Sequence, residues 1–258
     1  MRMKKLPKLL FLLAFRISCS YAGILPDGLE GLVIYYNDFE QENGKANLNP
    51  LDIQENINPK SISDGLFGRG FLSEGIPMFG GGGISLHSPH LSPLKSLTIS
   101  VWWALKEDHK PGQGFVIFSF NGKGFISNFV RGGDGDTWCG LSKPAAVFQV
   151  YYFSGIQNIN GIYDFDIMKT LNLKGGIWHN LIATFSCGRE IKLYQDGKIV
   201  GKWVLTRSFR KEDEINTLSF ASGEEMYIDE ILILKGVMNE EEVLRYYNAI
   251  KGLKEMML

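Results

Sequence analysis

Residues 97–105 read LTISVWWAL, and this stretch decides the fold. Leu97, Ile99, Val101 and Trp103 recur at every second position, the period of a β-strand with one face on a core. Similar segments lie on both sides. Residues 31–36, GLVIYY, are β-branched and aromatic. Residues 115–120, FVIFSF, run into Asn121 and Gly122, and Phe125, Ile126, Phe129 and Val130 follow. That order predicts a hairpin turning at Asn-Gly through two positive φ angles. Residues 190–204 repeat the device: Ile191 and Leu193 lead to Asp196 and Gly197, and Ile199, Val200, Trp203 and Val204 return. Residues 147–153, 178–185, 218–220 and 226–234 complete the set. Residues 37–75 are rich in Asn, Ser, Gly and Pro and predict long connections with room for one short strand. Many strands with glycine-containing turns and hardly any helix imply an all-β fold, a sandwich or a barrel.

One helix is expected near the end. Asn239 caps it, and Glu242 stands three residues on, a variant of the capping box. Val243, Leu244, Tyr247 and Ile250 then share a face, which suits a short helix packed on the sandwich edge over the strand ends.

Composition narrows the function classes. A hydrophobic content of 45% excludes wholesale disorder. The 27 Lys and Arg against 28 Asp and Glu give none of the basic excess of a nucleic-acid binder. The near-neutral total hides an asymmetry. Residues 1–22 hold Arg2, Lys4, Lys5, Lys8 and Arg16 and no acid. An apolar run from Leu9 to Phe15 and the small-x-small sequence Ser20-Tyr21-Ala22 follow the early lysines. This is the layout of a secretory signal peptide cleaved after Ala22, and the run is too short to span a bilayer. Cys19 offers lipid anchoring as the other reading, but Arg16 sits where a bacterial lipobox has an apolar residue. Without those five basic residues the mature chain has 22 against 28 acids, a net charge of −6. It is expected to be one domain over 23–258, secreted or extracytoplasmic, with no transmembrane segment and no nucleic-acid partner.

Three cysteines are too few for a disulfide scaffold or a four-cysteine zinc site. Cys139 and Cys187 remain in the mature chain. Outside the cytosol they are candidates for a disulfide; the other reading is two unpaired residues in a β-core.

Four segments in order carry a resemblance. They are GLVIYY at 31–36; GLFGRGF at 65–71 with MFGGGGI at 78–84 and LTISVWW at 97–103; WHNLIA at 178–183 with LYQDG at 193–197; and YIDEI at 227–231 before the helix start at 239–243. Together the chain resembles the laminin-G-like, concanavalin A-like lectin/glucanase group. The resemblance implies a jelly-roll β-sandwich of two antiparallel sheets, to which the capping signal at Asn239 adds a short C-terminal helix. It does not fix a function, since such sandwiches host lectins, adhesion modules, glycosidases and lyases. Residues 121–176 are longer than the family's usual midsection, where specificity is expected to reside. The family often carries a structural calcium near its first and last strands. That loosely suggests Asp38, after the opening strand, and Asp229, a charge inside an apolar strand that needs a partner.

The site candidates come from residue chemistry. Residues 131–139, RGGDGDTWC, place Asp134 and Asp136, hard oxygen ligands for Ca²⁺, beside Trp138 as an apolar platform. The other reading of this loop is a solvated turn anchored by its tryptophan. Trp102 and Trp103 must face opposite sides of their strand. Trp102 is therefore a candidate for stacking on a sugar, against the alternative of a covered second face. Residues 80–83, GGGG, lack the Gly-Lys-Ser/Thr ending of a phosphate loop and read as a tight turn. His87 and His90 have no helix to align them as a zinc pair, and His179 reads as structural. The Glu-x-Asp-x-x-Glu strand of laminarinase-like members is absent, as are Gly-x-Ser-x-Gly and His-Glu-x-x-His. The expectation is a non-catalytic recognition module for carbohydrate or a cell-surface polymer, with Ca²⁺ as the one candidate cofactor. The alternatives are a structural or adhesion component acting through protein contacts, and a glycosidase or lyase with an unrecognised site.

Overall fold

The computed structural model describes residues 25–41, 43–57, 62–73, 83–91, 96–110, 114–122, 125–131, 145–152, 162–170, 173–186, 189–205, 207 and 215–257. The signal-peptide segment, Asp134, Asp136, Trp138, Cys139, Cys187 and residues 80–82 lie outside them.

Fifteen strands form two antiparallel sheets among the described residues. In chain order they are β1 Val33–Asn37, β2 Gln54–Ile57, β3 Ile62–Asp64, β4 Arg69–Ser73, β5 Ile84–His87, β6 Leu97–Leu105, β7 Gly114–Gly122 and β8 Phe125–Arg131. Then come β9 Ala145–Tyr152, β10 Ile162–Thr170, β11 His179–Ser186, β12 Glu190–Gln195, β13 Lys198–Val204, β14 Ile215–Ser222 and β15 Met226–Lys235. The first sheet runs β13-β12-β11-β6-β15-β4-β3, with β1 also paired to β15. The second runs β10-β9-β8-β7-β14-β5-β2. One helix, α1 Glu240–Met257, closes the chain.

The alternation of residues 97–105 is realised in β6, at the centre of the first sheet between β11 and β15. Leu97, Ile99, Val101, Trp103 and Leu105 enter the core between the sheets, with Phe71, Phe118, Phe120, Phe185, Phe220 and Ile228. Trp102 joins a second apolar cluster on the outer face of that sheet, where Ile182, Tyr194 and Leu232 meet Val243, Tyr246 and Ile250 of α1. The domain therefore has three layers: helix, first sheet, second sheet. Burying an aromatic or branched side chain contributes about 1.5–3 kcal/mol, so each interface is held by many such terms.

Three expectations need correction. The helix does not sit on the sandwich edge; it covers the outer face of the first sheet. Leu244 is 45% exposed, and Val243, Tyr246 and Ile250 form the buried stripe instead. The cap is as expected: Asn239 Oδ1 accepts from the amides of Glu241 and Glu242, and Glu242 Oε2 accepts from the Asn239 amide. The described residues of 37–75 hold three short strands, β2 to β4, rather than one. Asn121 and Gly122 do not turn. They stay in β7, where they pair with Thr217 and Ile215 of β14. Pairing with β14 gives those two residues ladder bonds that a turn at that point would forfeit. Asp196 and Gly197 do turn as expected, with φ of 51° and 73°. Strand β10 lay outside the sequence expectation altogether. Among the described residues no helix is long and apolar enough to cross a membrane.

Candidate functional site

Asp229 and Glu230 occupy a fork in the first sheet. On one edge of β15, β4 pairs as far as Ile228 and β1 begins at Ile231. On the other edge, Asp229 faces Trp102 but Leu232 faces Ser100, so β15 holds one extra residue. Glu230 absorbs the bulge with a φ of 50°. Both carboxylates are buried. Asp229 Oδ1 accepts from the Glu230 amide at 2.8 Å, and Oδ2 accepts from the Leu66 amide at 2.7 Å. The bond from Leu66 pins the β3–β4 turn. Its Gly65 lies so close that a Cβ there would stand 2.5 Å from the Arg69 carbonyl oxygen and 2.6 Å from Asp229 Oδ2. Glu230 Oε2 accepts from the Tyr36 hydroxyl at 2.8 Å.

Burial sets the charge state of this fork. Desolvation pushes the Asp229 carboxyl well above the usual range, and repulsion from Glu230 adds to it. Desolvation likewise raises Glu230 to about 8, offset in part by the Tyr36 hydroxyl. Asp38 adds repulsion to both. The Asp38 carboxylate itself closes a local turn, accepting from the Glu40 amide at 3.0 Å. Both Asp229 oxygens are already committed to amides. Among the described residues no three His, Cys, Asp or Glu side chains are grouped to hold a metal ion. The pair Asp38 and Asp229 is thus a poor fit to a Ca²⁺ site by side chains alone, since that ion takes six to eight oxygens.

Trp102 is not available as a sugar platform. It is 3% exposed, and its ring stacks on Tyr247 of α1 with centroids 5.7 Å apart and planes 9° apart. Trp103 faces the opposite way, against Phe115 at 5.4 Å and His179 at 5.1 Å. His179 starts β11 and bonds Asp196 Oδ2 at 2.9 Å, a structural tie to the β12–β13 turn. His109 and Glu224 form a further buried pair at 2.6 Å, at the end of the sandwich where the chain leaves β6.

The outer face of the second sheet differs in kind. Phe118, Phe120, Leu218, Phe220, Ile84 and Leu86 point inward, so the residues between them face out. Ser85 and Ser219 share a hydroxyl bond at 3.1 Å. The Asn121 amide donates to Ser119 at 3.0 Å and to Ser219 at 3.4 Å. His87 Nδ1 and Thr217 Oγ1 are 2.9 Å apart. Ser219 is buried, Ser85, Ser119, Asn121 and Thr217 are half-buried, and His87, Gln54 and Asn56 are exposed. This face carries hydroxyl, amide and imidazole groups where the first sheet has its helix. Sequence reasoning missed it because its residues come from four strands and form no motif; only the register joins them.

A family model describing the concanavalin A-like lectin/glucanases superfamily matches residues 79–244. The chain belongs to that superfamily. No curated protein matches this member in sequence. Among solved structures, the binding domain of Paraclostridial Mosquitocidal Protein 1 superposes with a TM-score of 0.61 at 14% identity, over 86% of this chain and 53% of that one. The botulinum neurotoxin serotype D binding domain gives 0.58 at 11% identity, over 85% and 52%. The binding domain of botulinum neurotoxin DC, in complex with rat synaptotagmin II, gives 0.59 at 10% identity, over 86% and 52%. At these identities the likeness is one of fold. This superfamily member spans about half the length of those domains. The jelly-roll sandwich implied by the four sequence segments is the fold found.

Proposed function

We propose that this concanavalin A-like domain is an exported, non-catalytic recognition module that binds carbohydrate or a cell-surface polymer on the outer face of its second sheet. The observation that carries the reading is the contrast between the two sheets. The outer face of the first is sealed by α1, with Trp102, Asn180, Ile182 and Tyr194 all buried. The outer face of the second presents half-buried and exposed polar side chains already held by mutual hydrogen bonds. Groups fixed in this way lose little entropy on binding. The neighbouring folds named as binding domains point the same way.

Two further features support the reading. Glycoside cleavage uses a pair of carboxylates about 5–10 Å apart across the scissile bond. Strands β2, β5, β14 and β7 put no Asp or Glu on this face; Glu55 pairs with Leu86 in the inward set. The basic start, apolar run and small residues of 1–22 support export. Calcium belongs in this reading at Asp134 and Asp136 rather than at Asp38 and Asp229, whose carboxylates already bond amides.

A glycan array probed with the purified chain, with and without EDTA, tests the proposal. Binding to a defined set of glycans is expected, and loss with EDTA assigns calcium a part in it. Silence in both conditions, with a protein partner co-purifying instead, moves the function to adhesion through protein contacts.

A further inference from the structure

The tripeptide Asn-Gly-Lys occurs twice, at 43–45 and at 121–123. A third Asn-Gly, at 160–161, lies outside the described residues. Asn before Gly is the arrangement most open to loss of the side-chain amide, because no Cβ on the second residue keeps its backbone nitrogen from the Asn carboxamide. The fold places the two described copies in opposite settings. Asn121 is half-buried in β7 and paired with Thr217, and its Nδ2 donates to Ser119 Oγ at 3.0 Å and Ser219 Oγ at 3.4 Å. Asn43 is exposed, in a turn that the Gly44 amide closes on the Gln41 carbonyl at 2.9 Å. Its Oδ1 accepts from the Lys45 amide at 2.9 Å.

The bond from Lys45 has a chemical consequence. It folds the Asn43 carboxamide back over the Gly44 peptide unit, so Cγ stands on the side of the Gly44 nitrogen. It also sets an N–H donor against the oxygen that gains negative charge when Cγ is attacked, the relation that stabilises a tetrahedral intermediate. The Gly44 amide must release the Gln41 carbonyl to react, but a single bond in an exposed turn opens readily. At Asn121 the hydrogen bonds hold the departing nitrogen instead, and the ladder keeps the backbone extended.

We propose that Asn43 is a site of spontaneous deamidation, where the turn ending at Gly44 directs the Gly44 nitrogen onto the Asn43 carboxamide. That nitrogen gives its proton to hydroxide and bonds to Cγ. The bond from Cγ to Nδ2 breaks, and ammonia leaves with a proton from water, which returns the hydroxide. Water then opens the cyclic imide. Opening at the side-chain carbonyl leaves aspartate at position 43; opening at the main-chain carbonyl leaves isoaspartate, with an extra carbon in the backbone. Either product adds a carboxylate to a segment that already holds Asp38, Glu40 and Glu42. The extra carbon also displaces Gly44, whose carbonyl oxygen accepts from Nδ2 of the buried Asn37 at 2.8 Å. Asn37 bonds the hydroxyl of Tyr35, a core residue, so the change at the surface reaches the core.

Incubation of the folded full chain at mildly alkaline pH, followed by tryptic peptide mapping with mass spectrometry, tests this. Cleavage after Lys45, Lys123 and Lys169 puts the three Asn-Gly pairs in separate peptides, and fragment ions assign each change to its residue. Residue 43 should gain aspartate and isoaspartate at least about tenfold faster than residue 121, where reaction waits on the loss of two side-chain hydrogen bonds and strand pairing. In concentrated urea neither site keeps its structure, and the two rates should converge within about threefold. Asn43→Gln, whose longer side chain must close a larger ring, should leave its peptide unchanged over the same period. The isoaspartate fraction should melt roughly 2–4 °C below the fresh chain, the loss of about one buried hydrogen bond in a domain of this size. Equal rates at the two sites in the folded chain overturn the inference. So does a gap that persists in urea, which traces the difference to flanking sequence. Reaction at Asn43 that is slower in the folded chain than in urea also overturns it, since the turn would then protect the amide rather than direct its loss.

Discussion

Glu230→Gln should stabilise this protein, and more so as the pH rises. The side chain is 5% exposed and sits on a bulge with a left-handed backbone. Burial raises its carboxyl from an ordinary 4.5 to about 8. The sign follows from linkage. Between about pH 4.5 and about 8 the folded state holds a proton that the unfolded state has lost, so stability falls as pH rises through that window. The stabilising contribution is complete below about 4.5 and gone above about 8. Each pH unit inside the window costs up to about 1.4 kcal/mol, which for a domain of this size lowers Tm by roughly 3–6 °C. Glutamine keeps an oxygen for the Tyr36 hydroxyl and has no charge to desolvate. Thermal unfolding followed by circular dichroism at pH 5, 6, 7 and 8, in EDTA, measures the difference between the two proteins. The gap should be small at pH 5 and widen steadily to pH 8. A constant gap, or a variant less stable at every pH, refutes the argument. A variant destabilised only when calcium is added would mean that the carboxylate serves a cation, and the fork would then need a metal after all.

Three other changes probe the frame around the site. Gly197→Ala forces an L side chain into φ 73° and sets its Cβ 2.7 Å from the Tyr247 ring, so a loss of about 1–2 kcal/mol is expected in urea unfolding. Asn239→Ala removes the acceptor of two helix amides and should cost about 1 kcal/mol by the same measurement, with binding unaffected. Trp102→Ala should cost about 3–5 kcal/mol because the ring is buried against Tyr247. At a temperature where that variant remains folded, its ligand affinity should equal that of the wild type; a selective loss of affinity would return Trp102 to the binding site.

The architecture was legible where side chains alternate or where a cap has a fixed chemistry. Residues 97–105, the Asp196-Gly197 turn and the Asn239 cap each carry a local signal strong enough to survive in the fold. The errors have local causes. Asn121-Gly122 is a turn signal in isolation, but tertiary pairing with β14 keeps it extended. Strands β2 to β4 are three to five residues long, too short for periodicity to register. Asp229 was noticed as a charge in an apolar strand. The bulge beside it, which buries Glu230 as well, depends on two strands meeting one edge, and no local pattern encodes that. The polar face that Asn56, Ser85, Ser219 and Ser119 share was invisible for a related reason: serines are common, and 163 sequence positions separate Asn56 from Ser219.

The placement of charge among the described residues separates the two sheets. The buried acids Asp229 and Glu230 lie in the fork of the first sheet, where Asp229 fastens a turn and Glu230 bonds a tyrosine. In the second sheet, the polar groups on the outer face over β2, β5, β14 and β7 include no Lys, Arg, Asp or Glu. Those groups themselves offer no long-range field to draw in a ligand, so affinity at them depends on slow dissociation. Each hydrogen bond they make contributes only about 0.5–1.5 kcal/mol. One sugar ring touching two or three such groups would leave as fast as it arrived. A chain that engages several strands at once makes its contacts act together, because the first to form holds the others at high local concentration. On the proposed reading, modest groups spread over several strands suit a repetitive polymer better than a ligand that touches one strand.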